Sequence, residues 1–141
     1  MRIEFSGIAF QPNQEINGLT MGGVGSTTEI SHIQVSYCGD DSYEWFGGSV
    51  NAKNMIAFRS WDDDFDTDNG YSGSIQFGLV LRDKDIADQS GSNGFESDND
   101  GQGTTATPNT KAIFSNISVF GPMDDASTTI NSLYKRGAHL R

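Results

Sequence analysis

Tyr43-Glu44-Trp45-Phe46-Gly47-Gly48 is followed 22 residues on by Phe65-Asp66-Thr67-Asp68-Asn69-Gly70, and a further 30 residues on by Phe95-Glu96-Ser97-Asp98-Asn99-Asp100. Each block reads aromatic, acid, any residue, acid or aromatic, then Asn or Gly. Upstream, the same spacing of 22 aligns His32-Ile33-Gln34-Val35 with Asn54-Met55-Ile56-Ala57 and then with Gln76-Phe77-Gly78-Leu79. Ile33, Ile56 and Leu79 also recur at 23, which leaves the register open by one residue. The spacing of 30 reads as the same repeat with an insertion within Lys84 to Ser92, and a further strand-like run covers Ile113 to Phe120. Short β runs separated by Gly, Asn and Asp turns at a fixed period are the mark of a parallel β-helix, in which a coil buries its apolar face only by stacking on its neighbours. The expectation is an all-β fold, a right-handed parallel β-helix (solenoid) of roughly six coils at about 22 residues each. An antiparallel sandwich of lectin type also has short strands and many turns, but it does not call for similar sequence at equal spacing.

The composition agrees with that architecture. Gly, Ser, Asp, Asn and Thr make up nearly half of the 141 residues, which argues against long helices, while 15 aromatic residues supply burial that a disordered acidic tail lacks. This length is that of one domain, residues 1–141. The net charge of −10 comes entirely from the middle: Asp40 to Asp100 holds 14 acids and 4 bases, and outside it 5 acids meet 5 bases. Nucleic acid is excluded as a partner because no Lys/Arg cluster is available for phosphates. No run approaches the roughly 18 apolar residues of a membrane span. Cys38 is the only cysteine, so packing or ions must hold the fold. The residues after Met1 lack the apolar stretch of a secretory signal, and the chain is read as a fragment of a longer one.

Gly23-Val24-Gly25-Ser26-Thr27-Thr28-Glu29-Ile30-Ser31-His32-Ile33-Gln34-Val35-Ser36, Asp40-Asp41 with Glu44 to Gly48, Asp62-Asp63-Asp64-Phe65-Asp66 and Gly94 to Asn99 together resemble a family of secreted and surface proteins known from Bacteroidetes and marine bacteria. The resemblance covers about Ile3 to Arg141. It implies a right-handed β-helix akin to the pectate lyase superfamily, an extracellular or bacterial cell-surface location and a parent chain continuing past Arg141. It carries no agreed activity.

Alternation along a strand sends Tyr43, Phe65 and Phe95 one way, with Trp45, Thr67 and Ser97, and sends Glu44, Asp66 and Glu96 the other. Coils stacked about 4.8 Å apart bring those acids into one file. At ~5 Å two carboxylates repel by a few kcal/mol at an effective dielectric of about 20. A hard cation relieves this best, since Ca²⁺ takes six to eight oxygen ligands in irregular geometry. The expected ligands are Glu44, Asp63, Asp64, Asp66, Asp68, Glu96, Asp98 and Asp100, with a solvated acidic face as the plainer reading. The helix-loop-helix calcium motif does not fit. From Asp64, Gly70 falls one place late and Ile75 stands at the last ligand position; from Glu96, that position is Thr107.

By analogy with polysaccharide lyases, Arg59 and Arg82 are candidate catalytic bases, with Lys53 and Lys84 the other bases nearby. By analogy with glycoside hydrolases, the pairs Asp40/Asp41 and Asp62/Asp63 are candidate acid and base. For both arginines salt bridges are the plainer role. Trp45 and Trp61 flank the acidic blocks and are candidate rings for stacking on a polysaccharide or cell-surface glycan. Gly22 to Thr27 lacks the Lys of a phosphate loop, and His32, His139 and Cys38 lie too far apart for a zinc motif. Cys38 is expected in the core, and Asn69 and Asn99 are expected to bond along the stack. The resulting reading is an extracellular binding or structural module with a calcium-binding acidic face, or alternatively a polysaccharide lyase or hydrolase. The last nine residues show no capping helix, so end-to-end association or continuation in a longer chain is expected.

Overall fold

The computed structural model describes residues 1–12 and 14–141. Ten strands follow in chain order: β1 (Arg2–Glu4), β2 (Leu19–Gly22), β3 (Glu29–Ser36), β4 (Tyr43–Phe46), β5 (Asn51–Phe58), β6 (Phe65–Asp68), β7 (Ser74–Leu81), β8 (Phe95–Ser97), β9 (Ile113–Phe120) and β10 (His139–Leu140). The described residues contain no helix, and so none that could cross a membrane. Odd-numbered strands form one five-stranded sheet in the order β1-β3-β5-β7-β9, and even-numbered strands form a second in the order β10-β8-β6-β4-β2. Every strand pair is parallel. Each coil therefore places one strand in each sheet before the chain climbs to the next rung, the arrangement of a parallel β-helix.

The repeat is uneven in an informative way. Ile33 pairs with Met55, and Glu44 with Asp66, both 22 positions on. Met55 pairs with Gly78, so the next step is 23 and the alignment of Asn54 with Gln76 is off by one. Phe65 pairs with Phe95 at 30, the extra residues lying in the segment between β7 and β8. His139 pairs with Glu96, 43 positions earlier. Long connections after β8 and β9 hold residues that a strict period would divide among roughly six coils.

The core lies between the sheets. Val35, Met55, Ala57, Ile75 and Val80 from one sheet meet Tyr43, Trp45 and Phe65 from the other, all fully buried. The rings stack rung on rung: Tyr43 on Phe65 with centroids 5.5 Å apart and planes 12° from parallel, Phe65 on Phe95 at 5.6 Å and 21°. Cys38 is buried, as expected. The turn half of the repeat has an equally local cause. Gly47 and Asn69, equivalent by register, both have left-handed backbone (φ 69° and 49°), followed by Gly48 and Gly70 at 84° and 85°. Only Gly, and Asn at modest cost, enter that region readily. Asn99 behaves differently from the expectation. Its side-chain amide donates to the carbonyls of Thr104 and Ala106 and accepts from the Thr110 amide, ordering the following loop, and only its backbone carbonyl meets Asn69.

Candidate functional site

The turn leading into each even-numbered strand repeats one position. Asn17, Asp41, Asp63 and Asn93 each stand two residues before the first core residue of β2, β4, β6 and β8. The column is linked by side chain to backbone: the Asp63 amide donates to Asp41 Oδ1 at 2.8 Å, and the Asn93 amide donates to Asp63 Oδ1. Asn93 Nδ2 also donates to Asp63 Oδ1 and to Glu96 Oε2, both at 3.1 Å. The outer Asx residues are neutral and the two central ones are acids, so charge gathers in the middle coils.

Two further columns flank this one. Asp40 and Asp62 lie beside it in the turns, and Glu44, Asp66 and Glu96 form the expected file on the outer face of the second sheet, in register from β4 to β6 to β8. Oxygens of Asp40, Asp41 and Asp62 lie within 4.8 Å of one another, and those of Asp41, Glu44 and Asp66 do likewise. Asp41 thus belongs to both triads, and it is buried. Asn17 donates to Glu44, and Ser90 Oγ lies 2.5 Å from Asp62 Oδ2 and 2.8 Å from Asp88 Oδ2. Asp40, Asp62, Asp88 and Glu15 line a cavity of about 550 Å³.

Among the described residues, no base enters either triad. The consequence is a set of carboxyl groups held above their ordinary range. Burial, then Asp62, Glu15 and Asp88, pushes Asp40 up to about 6. Burial, then Asp68 and Asp40, pushes Glu44 up to about 7 against the Asn17 bond. Burial with Glu44 and Glu96 pushes Asp66 up to about 8. Burial and Asp62, with a hydrogen bond to Glu96, push Asp63 up to about 10. Asp41 rises well above 3.8 by burial and the neighbouring Asp66 and Asp63. These groups have either to hold protons or to share a cation. The donors are all hard carboxylate oxygens with none of the soft ligands that favour transition metals, which fits Ca²⁺.

Several expected site residues are elsewhere. Asp64, in the turn before β6, is buried and forms a wholly buried ion pair with Arg82 at 3.3 Å. Asp98 bonds to Arg141 at 2.8 Å, and Asp100 accepts from the amides of Gln102 and Thr104 to cap its own loop. Asp68 is half-buried at the edge of the file. Arg82, the other candidate base, is enclosed. Its guanidinium is sealed from solvent, donating to the carbonyls of Asp62 and Trp61 under the Tyr134 ring. Arg59 is spent on Asp83 at 3.3 Å and stacks on Phe58. Trp45 is fully buried, because it shares its strand face with Tyr43, and is removed as a stacking surface. Trp61 is 47 % exposed beside Asp62 and remains a candidate.

Sequence reasoning missed Asn17, Glu15, Asp88, Ser90 and Asn93. Asn93 was reachable, since it lies 30 residues after Asp63 by the same offset that aligns the strands. Glu15 and Asp88 carry no such signal, because they lie in segments that the repeat does not cover.

No curated protein and no solved structure matches the chain. A family profile described as pectate-lyase like beta helix domain matches residues 1–141, the whole length. With ten parallel strands in two sheets and a carboxylate-bearing turn face, the chain belongs to the pectate-lyase-like β-helix domain family.

Proposed function

We propose that the chain is an extracellular or cell-surface binding module whose acidic turn face takes up Ca²⁺ and, through it and Trp61, a polysaccharide or cell-surface glycan. One observation carries the reading: Asp41, buried, shares its carboxylate between two triads whose carboxylates form no ion pair with a base among the described residues. A carboxylate in two such groups is costly to bury unless a cation offsets the charge. Asp40, Asp41 and Asp62 would hold one ion, with Asp41, Glu44 and Asp66 available to a second. An extracellular setting suits weak, exchangeable sites, for which free Ca²⁺ is abundant. Calorimetry of chelator-treated protein with Ca²⁺ and Mg²⁺ tests the proposal. Heat of binding with a raised melting temperature supports it, and neither would leave only a solvated acidic face. Trp61→Ala is expected to lose sugar-dependent fluorescence quenching, and unchanged quenching removes Trp61.

A second reading, a polysaccharide lyase or glycoside hydrolase, is favoured by Asp63, a carboxyl pushed up to about 10 by burial and Asp62 with Glu96 beside it, since hydrolysis of glycosides uses two carboxyl groups in one site. Reducing ends released from a polysaccharide by the native chain but not by Asp63→Asn support it. Unsaturated uronate product, absorbing in the ultraviolet, marks the lyase instead.

A further inference from the structure

Beyond the acid-lined turns, the last rung gathers the opposite charge. Asn93, Glu96, Lys135, Arg136, His139 and Arg141 line a cavity of about 300 Å³ at the end of the carboxylate file. Three of the nine Lys and Arg residues of the chain meet there. The backbone that carries them is tied down. Lys135 N donates to Ser92 O at 2.8 Å, Gly94 N to Arg136 O at 3.0 Å, Phe95 N to Gly137 O at 3.1 Å, and β10 continues the pairing on β8.

The local acids do not account for these bases. Arg141 serves Asp98 at 2.8 Å and Glu96 at 3.2 Å, and His139 Nδ1 lies 3.5 Å from the same Glu96 oxygen. Lys135 and Arg136 are surplus. Lys135 Nζ donates to the Ser132 carbonyl at 2.8 Å, and the Arg136 guanidinium has no acceptor and no ion pair among the described residues. In a chain with ten acids in excess, two cations without a carboxylate partner converge on one concave site. Asn93, only 1 % exposed and lining the same cavity, keeps Oδ1 without a donor among the described residues.

We infer that this cavity binds an oxyanion borne by a sugar residue, a carboxylate or a sulfate ester, with Lys135 and Arg136 on the oxyanion and the buried Asn93 in the wall of the site. Arg offers paired donors in a plane that matches carboxylate and sulfate oxygens, and Lys adds a point charge. A neutral sugar uses neither. The inference goes beyond the cation reading and does not need it, since none of its residues belongs to the two triads.

Titrations of the whole chain with inorganic sulfate, a sulfated disaccharide, a uronic acid disaccharide and a neutral disaccharide test it, in calcium buffer and again with chelator. Binding of either charged disaccharide and not the neutral one is expected, with about a tenfold loss or more in Arg136→Gln and in Lys135→Gln. Both side chains are exposed, so melting temperatures are expected to stay at the native value, and Lys53→Gln, on the far sheet, is expected to bind as the native chain does. The inference is overturned if neither charged disaccharide binds, if the neutral disaccharide binds as well, if both variants retain native affinity, or if Lys53→Gln loses as much. Inorganic sulfate matching the sulfated sugar makes this a free-anion site and overturns the sugar-borne assignment. Loss of calcium binding with sugar binding intact separates failure of the cation reading from failure of this one.

Discussion

Asp41 is the residue on which the acidic face turns. It accepts the Asp63 amide, so Asp41→Asn keeps that bond while removing one charge from each triad. Two effects of opposite sign are expected: a tenfold or greater loss of Ca²⁺ affinity by calorimetry, and a higher melting temperature of the chelated protein, because at about 4.8 Å each carboxylate pair repels by about 3 kcal/mol at an effective dielectric near 20. The pH dependence follows from the same groups. Asp40, Glu44, Asp66 and Asp63 rise to about 6, 7, 8 and 10 in the fold, above the 3.8 to 4.5 of the unfolded chain. The folded state therefore binds more protons than the unfolded one between these limits, and stability falls as pH rises. Chelated protein is expected to melt at a higher temperature at pH 5 than at pH 8. Saturating Ca²⁺ is expected to shrink or reverse that difference, because it replaces the protons. A chelated protein that gains stability from pH 5 to pH 8 contradicts the carboxyl assignments.

At the scale of the strand, β4, β6 and β8 do two jobs through one alternation. Tyr43, Phe65 and Phe95 build the aromatic stack inward, and Glu44, Asp66 and Glu96 face outward on the same residues' neighbours. Phe65 is central to the stack, and Phe65→Ala is expected to cost about 3–5 kcal/mol in denaturant unfolding, the range for a buried aromatic truncated to a cavity. Arg82→Met tests the turn between β5 and β6. It strands Asp64 and takes the donor from the Asp62 carbonyl, while the Trp61 carbonyl keeps the Asp88 amide and the Ser92 hydroxyl, so a loss of about 3–5 kcal/mol is expected, typical of a buried ion pair deprived of one partner. Period-2 alternation made the inward and outward sets legible, including the burial of Trp45 that its place beside the acids obscured. The inward turn of Asp64 was not legible. It lies next to Asp63 in a run of three identical residues, and only the guanidinium arriving from the start of the connection between β7 and β8 distinguishes them.

For the whole molecule, stacking makes neighbouring coils the source of each coil's stability. The inward residues of β3, β5 and β7 are nearly all buried, whereas Phe114, Ile117 and Val119 of β9 are only partly covered. Hydrogen exchange is expected to be slowest in β5 and β6 and to quicken toward β1 and β9. Uniform protection along the stack contradicts this. Among the described residues β9 pairs only with β7, and we propose that its other edge takes either a second copy or a further rung of a longer parent chain; a sedimentation mass that grows with concentration marks the second copy, and a constant monomer mass counts against it. The amino-acid sequence by itself determined the parallel stack, the aromatic core and the file Glu44, Asp66, Glu96, because residues repeating at one period take equivalent places when strands pair in register. It could not assemble Asp40, Asp41 and Asp62 with Asp88 and Glu15, nor gather Lys135, Arg136 and Arg141 around the cavity that Glu96 also lines. Those meetings depend on how far connections of unequal length fold back across the rungs, and distance in space there bears no relation to distance along the chain.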